Sequence, residues 1–190
     1  MTTAVPTPIS VARQARKRAV FLDRDGVINA AVVRERRPYP PADVASMQVL
    51  PGVADALLRI KALGFATIVV TNQPDIARGL STNAAVGAIN AQLLSTLAID
   101  EIRICPHDNA DNCHCRKPKP GLLLDAAAQH GLDLALSFMV GDRWRDVDCG
   151  KAAGVRNFFL DYGYDEPTAT GYDWRVDSLA QVADILSTLE

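Results

Sequence analysis

The sequence predicts an α/β fold, a Rossmann-like doubly wound parallel sheet with helices on both faces. Two observations carry that prediction. Short apolar runs alternate with helix-length stretches along the chain, the pattern of successive β-α-β units. The runs end directly in acids, hydroxyls or glycine, so their carboxyl ends gather polar groups on one sheet edge, where such sheets bind ligands.

Each element has its own local signal. Residues 19–22 (AVFL) are uniformly apolar and form a buried strand. Residues 51–63 (PGVADALLRIKAL) place apolar side chains at helical spacing, open on Pro51 and stop at Gly64. The β-branched run 65–70 (FATIVV) is a second buried strand, and 82–97 is a helix. A short strand at 101–104 leads into a Cys-rich segment. Residues 119–130 (KPGLLLDAAAQH) form a helix closed by Gly131. The strand 137–140 runs into Gly141-Asp142, the helix 146–153 closes at Gly154, the strand 155–160 (VRNFFL) follows, and 178–189 is a last helix. Residues 30–50 have no period and form the longest irregular stretch, a candidate partial lid. No segment is long enough for an independent cap domain.

At 190 residues, with 48% apolar and 22% charged residues, one domain is expected over 19–190, preceded by a flexible basic tail at 1–18. The net charge of −2 argues against a nucleic-acid binder. No apolar run reaches the roughly 20 residues that span a bilayer, and residues 1–19 hold no secretory signal, so a cytoplasmic protein without a membrane partner is expected. There its four cysteines stay reduced, and a cluster of them reads as metal ligands.

Asp23-Arg24-Asp25-Gly26 follows the first strand. Two acids at i and i+2 of a strand end can project together, where they demand a counter-charge. Either they are a turn or helix-cap pair, or they are a nucleophile and a proton shuttle around a hard cation such as Mg²⁺. Thr71-Asn72-Gln73 ends the next long strand; its hydroxyl and amides suit phosphate oxygens, and equally suit an ordinary turn. Arg78 is an anion contact or a solvated surface residue. Gly141-Asp142-Arg143-Trp144-Arg145-Asp146 offers Asp142 as a further acid for Mg²⁺ and Arg143 as a substrate contact, Arg145 less so. Asp146 either orients the metal's waters or caps the following helix.

Cys105-Pro-His107 and Cys113-His-Cys115 hold three cysteines within eleven residues. A Cys₃His set fits tetrahedral structural Zn²⁺ with every position filled by protein, which shapes a loop and activates no water. His114 is a competing ligand, His130 a helix-end residue, and Cys149 a small buried hydrophobe. Arg116 and Lys117 follow the last cysteine at once. The metal loop therefore aims them: a lysine suits charge compensation beside an acyl phosphate, an arginine a planar grip on a second anion. Arg34, Arg36, Arg37 and Tyr39 either hold a distal anion or are a solvated charge run.

Taken together, LDRDGVIN, VVTNQ, CRKPKPG and VGDRWRD resemble the haloacid-dehalogenase superfamily of phosphohydrolases, in order and over nearly the whole chain from Ala19. The Cys-x-His…Cys-x-Cys-Arg-Lys-Pro insertion is similar to its small, capless, zinc-loop branch. The resemblance implies Asp23 as nucleophile, and Asp25 as general acid/base that also offers a backbone carbonyl to Mg²⁺. It implies Thr71 and Lys117 as stabilisers of the transferring phosphoryl group, and Arg116 as substrate-recognising, with Asn72, Gln73 and Arg143 beside it. It further implies that Asp142 binds Mg²⁺ and that Cys105, His107, Cys113 and Cys115 hold Zn²⁺. The implied activity is phosphomonoester hydrolysis of a small soluble phosphate by a monomer. The spare cations Arg116, Arg143 and the 34–37 arginines favour a sugar bisphosphate, the 7-phosphate of a heptose 1,7-bisphosphate first. The seven residues between Cys105 and Cys113 resemble instead the histidinol-phosphate members. A polynucleotide-end phosphatase would need a basic groove with stacking aromatics, and aromatics are only 6% of this chain. A non-catalytic phosphosugar-binding module would have lost one of Asp23, Asp25, Lys117 or Asp142.

Overall fold

The computed structural model describes residues 17–189. In chain order, β1 (Arg18–Leu22) is followed by a hairpin of β2 (Val32–Arg34) and β3 (Arg37–Tyr39), then by α1 (Val53–Ala62), β4 (Phe65–Asn72), α2 (Asn83–Thr96), β5 (Glu101–Cys105) and α3 (Gly121–His130). The chain ends with β6 (Phe138–Gly141), α4 (Trp144–Ala153), β7 (Arg156–Leu160), β8 (Trp174–Val176) and α5 (Leu179–Thr188). Six strands form one parallel sheet in the order β5-β4-β1-β6-β7-β8.

Strand alternation sorts the core into two layers. Val20 and Leu22 of β1 pack with α1, α2 and α5 on one face. Ala19 and Phe21 point the other way and pack with α3, α4 and the cysteine segment. Each fully buried Val, Leu or Phe contributes about 1.5–3 kcal/mol over its exposed state. Both faces of β1 are therefore sealed, and its residues from Ala19 to Leu22 are wholly buried. The chain leaves β1 toward β4 and β5, then crosses to β6 on the opposite side. That change of direction opens a crevice at the carboxyl ends of β1, β4 and β6, which is where this topology places ligands.

The structure differs from the sequence expectation in three places. Residues 32–39 form a hairpin rather than an irregular lid: Glu35 and Arg36 both take positive φ (49° and 60°) in its two-residue turn, without the usual Asn-Gly signal. β8 is only three residues long, too short for periodicity to reveal. The expected tail at 1–18 lies outside the described residues as far as 16. At its end, Lys17 bridges to Leu132 and its carbonyl accepts from the Asp133 amide at 2.8 Å, while Arg18 already opens β1. Among the described residues no helix is long and apolar enough to cross a membrane.

Candidate active site

Asp23 follows β1, Thr71 and Asn72 end β4, Cys105 ends β5, and Asp142 follows Gly141 at the end of β6. The Asp23 amide donates to the Val140 carbonyl at 2.9 Å, so the first acid is pinned between β1 and β6.

Lys117 is the central cation. It is 2% exposed, and its Nζ lies 2.7 Å from Asp23 Oδ1, 2.6 Å from Asp146 Oδ1 and 2.8 Å from the Val70 carbonyl. Asn72 clamps its backbone twice, donating to the Lys117 carbonyl at 3.0 Å and accepting from its amide at 3.1 Å. Burial alone would lower the lysine's pKa, but Asp146 and Asp23 outweigh it and hold the ammonium firmly protonated. Burial raises Asp23, and Asp146 and Asp25 add to it. Lys117 offsets only part of this, and the carboxyl is pushed up to about 6. Asp146 does two things at once: besides Lys117, its Oδ2 accepts from the Arg143 amide at 3.1 Å and caps α4.

Asp25 is held by a different network. Arg24, wholly buried, donates to both Asp25 oxygens (3.1 and 2.9 Å) and to Asn90 Oδ1 at 3.0 Å. Asn29 Nδ2 and Gln73 Nε2 each donate to Asp25 at 2.9 Å, and Gln73 also donates to Thr71 Oγ1 at 2.9 Å. Gln73 therefore joins two site residues and does not line the cleft. Residue reading gave Arg24 no role, although an arginine between two aspartates at a strand end was the available signal.

Asp142 sits beneath Asp23, and one carboxylate oxygen from each of Asp23, Asp142 and Asp146 lies within 4.8 Å of the others. Neither oxygen of Asp142 has a partner in hydrogen-bonding geometry; burial, Asp23 and Asp146 drive its pKa well above the ordinary range, and the Tyr164 hydroxyl and Arg143 offset only part of this. Three buried acids with two bare oxygens fit a cation better than a hydrogen-bonding group.

A second cluster gathers Cys105 Sγ, His107 Nδ1, Cys113 Sγ and Cys115 Sγ, also within 4.8 Å of one another. Five of the six separations run from 3.3 Å (Cys115–Cys105) to 3.6 Å (Cys105–Cys113 and Cys105–His107). Burial pushes the Cys105 thiol up. Burial works the same way on Cys113, but hydrogen bonds from Cys115, Arg116 and Cys105 bring it down to about 7. His114 stands outside the cluster, 72% exposed with Nε2 2.9 Å from Asp125 Oδ2. His130 pairs with Glu101 at 2.7 Å, and Cys149 is wholly buried.

Above these groups lies a cleft of ≈ 230 Å³, lined by Asp23, Asp25, Thr71, Lys117 and a set of arginines. Its rim includes Arg37, Pro38, Tyr39 and Pro40 of the hairpin, whereas Arg34 and Arg36 lie outside it. Arg116 is in the cleft, its Nε donating to Asn109 Oδ1 at 2.8 Å and its Nη1 to the His107 carbonyl at 3.2 Å. Arg143 lines the cleft too, but its guanidinium is closed on Glu166 and is not a spare cation. Glu166 lies in the aperiodic connection after β7, which gives no sequence signal.

A parallel sheet with paired carboxylates, a buried lysine and a candidate cation site at its carboxyl edge defines a hydrolase of the phosphatase class. Residues 114–187 match the HAD-hydrolase-like family. The D-glycero-beta-D-manno-heptose-1,7-bisphosphate 7-phosphatase of Yersinia pestis is 35% identical over 181 residues, 86% of this chain and 92% of that protein. Its counterpart in Escherichia coli K12 is 38% identical over 151 residues, 72% of this chain and 75% of that one. The crystal structure of a D,D-heptose 1,7-bisphosphate phosphatase from B. bronchiseptica, complexed with magnesium and phosphate, has a TM-score of 0.75 at 30% identity and covers 92% of this chain and 99% of its own. The chain belongs to the HAD-like hydrolases, in the family of these heptose-bisphosphate phosphatases, and is a phosphatase.

Proposed function

We propose that this phosphatase is Mg²⁺-dependent, works through a phospho-aspartate at Asp23, and removes the 7-phosphate of a D-glycero-D-manno-heptose 1,7-bisphosphate. The observation that carries the reading is the convergence of Asp23 and Asp146 on Lys117, with an oxygen of Asp142 within 4.8 Å of both acids and neither Asp142 oxygen hydrogen-bonded.

Asp23 attacks phosphorus, forming an acyl phosphate while the bond to the sugar oxygen breaks. Asp25 gives that oxygen its proton, then takes one from the water that attacks the acyl phosphate, releasing inorganic phosphate and regenerating the Asp23 carboxylate. Lys117 stays protonated throughout and offsets charge on the transferring group, and the Thr71 hydroxyl donates to one of its oxygens. Asp23, Asp142 and the Asp25 carbonyl would hold Mg²⁺, which would supply charge neutralisation at the transferring group.

The Cys105, His107, Cys113, Cys115 cluster suits Zn²⁺. Its three sulfur-to-sulfur separations, 3.3–3.6 Å, are close to the edges of about 3.8 Å expected of a tetrahedron with Zn–S near 2.3 Å. The ion orders the loop that carries Arg116 and Lys117. Substrate choice rests on the activity of the heptose-bisphosphate relatives and on the arginine-lined cleft, which opposes the ammonium of histidinol phosphate.

Phosphate release should be measured on both heptose 1,7-bisphosphate anomers and on histidinol phosphate, with and without Mg²⁺. The expected kcat/KM is at least about tenfold higher for a bisphosphate, a difference of about 1.4 kcal/mol. Faster turnover of histidinol phosphate overturns the substrate, and an Asp23→Asn variant that still turns over overturns the nucleophile.

A further inference from the structure

We propose that Arg145, acting with Arg116, grips the phosphate of the substrate that is not transferred. The inference rests on the bisphosphate reading above.

Most cations lining the cleft are already paired. Lys117 is held by Asp23 and Asp146. Arg78 closes its fork on Asp108 at 2.9 and 2.8 Å and reaches Asp75 at 3.4 Å. Arg143 closes on Glu166, and Arg37 stands 3.7 Å from Asp165. Two guanidiniums remain without a carboxylate. Arg116 meets only neutral acceptors. Arg145 has no hydrogen bond or ion pair among the described residues. Its Nε is buried and bare, and its guanidinium carbon lies 5.2 Å from the Trp144 ring. The nearby Asp146 is committed to Lys117 and to the cap of α4.

The position is unfavourable for a cation in the free protein. Arg145 lies in the first turn of α4, where the helix dipole is positive. Burial disfavours its charge, Arg143, Arg116 and Arg78 press in the same direction, and Asp146 offsets only part of this. A sequence that keeps an uncompensated charge at such a place satisfies it with something outside the chain. A phosphate dianion fits, because planar guanidiniums bind its oxygens two at a time. The transferred group is not the candidate: the cation that meets Asp23 is Lys117, at 2.7 Å, and among the described residues no arginine pairs with Asp23. Arg145 and Arg116 therefore serve the other end of the substrate.

The test compares wild type, Arg145→Gln and Arg145→Lys on a heptose 1,7-bisphosphate and on the same sugar carrying only the 7-phosphate. Wild type should prefer the bisphosphate. Arg145→Gln should shrink the ratio of the two kcat/KM values about 10- to 100-fold, the worth of one or two charge-assisted hydrogen bonds, through KM rather than kcat. Arg145→Lys should recover part of the ratio and guards against a folding defect in the first variant. A wild type that prefers the bisphosphate, with a glutamine variant that keeps that preference or loses kcat equally on both substrates, overturns the Arg145 assignment alone. A wild type without the preference overturns the bisphosphate reading itself.

Discussion

Lys117 and Asp23 stand 94 residues apart in sequence and 2.7 Å apart in the fold, both almost fully buried. The carboxylate is delivered by the end of β1; the lysine arrives from a loop fixed by Asn72 below and the cysteine cluster beside it. Removing the ammonium strands two acids, Asp23 and Asp146, in a dry site. Lys117→Met should cost about 3–5 kcal/mol of stability, the usual penalty for breaking a buried pair from one side. It should also lower kcat about 10²–10³-fold, as loss of a positioned electrostatic stabiliser does. Denaturant unfolding and steady-state kinetics on the same preparation check both; a variant with wild-type kcat rules out a charge-compensating lysine.

The cysteine loop should act on substrate binding more than on chemistry. Arg116 is tied to the His107 carbonyl and to Asn109, and Arg78 is tied to Asp108, so the loop's shape sets two cleft-lining arginines. Purified protein should carry one zinc per chain. Cys113→Ser should release it, lower Tm, and raise KM about tenfold or more while kcat falls less. Metal analysis beside kinetics decides this, and full activity in zinc-free protein refutes the structural-zinc assignment.

Gly26 should tolerate no side chain. Its φ is +96°, and a Cβ there would stand 1.9 Å from Asp142 Oδ2. Gly26→Ala must strain the backbone, at about 1–3 kcal/mol, and turn Asp142 aside. The expected result is a modest loss of Tm with loss of the Mg²⁺ response by calorimetry; an unchanged Mg²⁺ affinity contradicts Asp142 as a ligand.

The parallel sheet was legible because β1 and β6 carry apolar runs and β4 a β-branched one, and because α1, α3 and α4 stop at Gly64, Gly131 and Gly154. The acids, Lys117 and the cysteine set were legible because such residues at strand ends are costly unless they meet. Pairing across the fold was not legible. Nothing in Arg143 announces Glu166, 23 residues later in a connection without periodicity, and nothing in Arg145 announces that it is left alone. Asp146 looked like either a cap or a metal-site residue; its two oxygens let it cap α4 and hold Lys117 together. The β2–β3 hairpin escaped because positive φ at Glu35 and Arg36 is set by tertiary context rather than by glycine.

Protonation and Mg²⁺ should compete at Asp23 and Asp142, and the sign is fixed by the direction of their shifts. The folded Asp23 carboxyl titrates at about 6, above the ordinary value near 3.8, and Asp142 is shifted the same way. Below the unfolded value both states hold the proton and these groups do not oppose folding. As pH rises from there through 6, the unfolded chain releases protons that the native site keeps, so metal-free stability falls with pH. Asp108 runs oppositely. The Arg78 fork holds it down at about 2, so its contribution is present above the ordinary carboxylate range and is lost only as pH falls through 2, outside this window. Mg²⁺ binds the ionised carboxylates and stabilises whatever it binds by mass action. Added Mg²⁺ should therefore raise Tm clearly at pH 7.5 and little at pH 5, and Asp142→Asn should abolish the rise at pH 7.5. Thermal unfolding of the zinc-loaded protein across pH 4.5–8, with and without Mg²⁺, makes the measurement. Equal Mg²⁺ shifts at both pH values, or a full shift in Asp142→Asn, place the ion elsewhere than at Asp23 and Asp142.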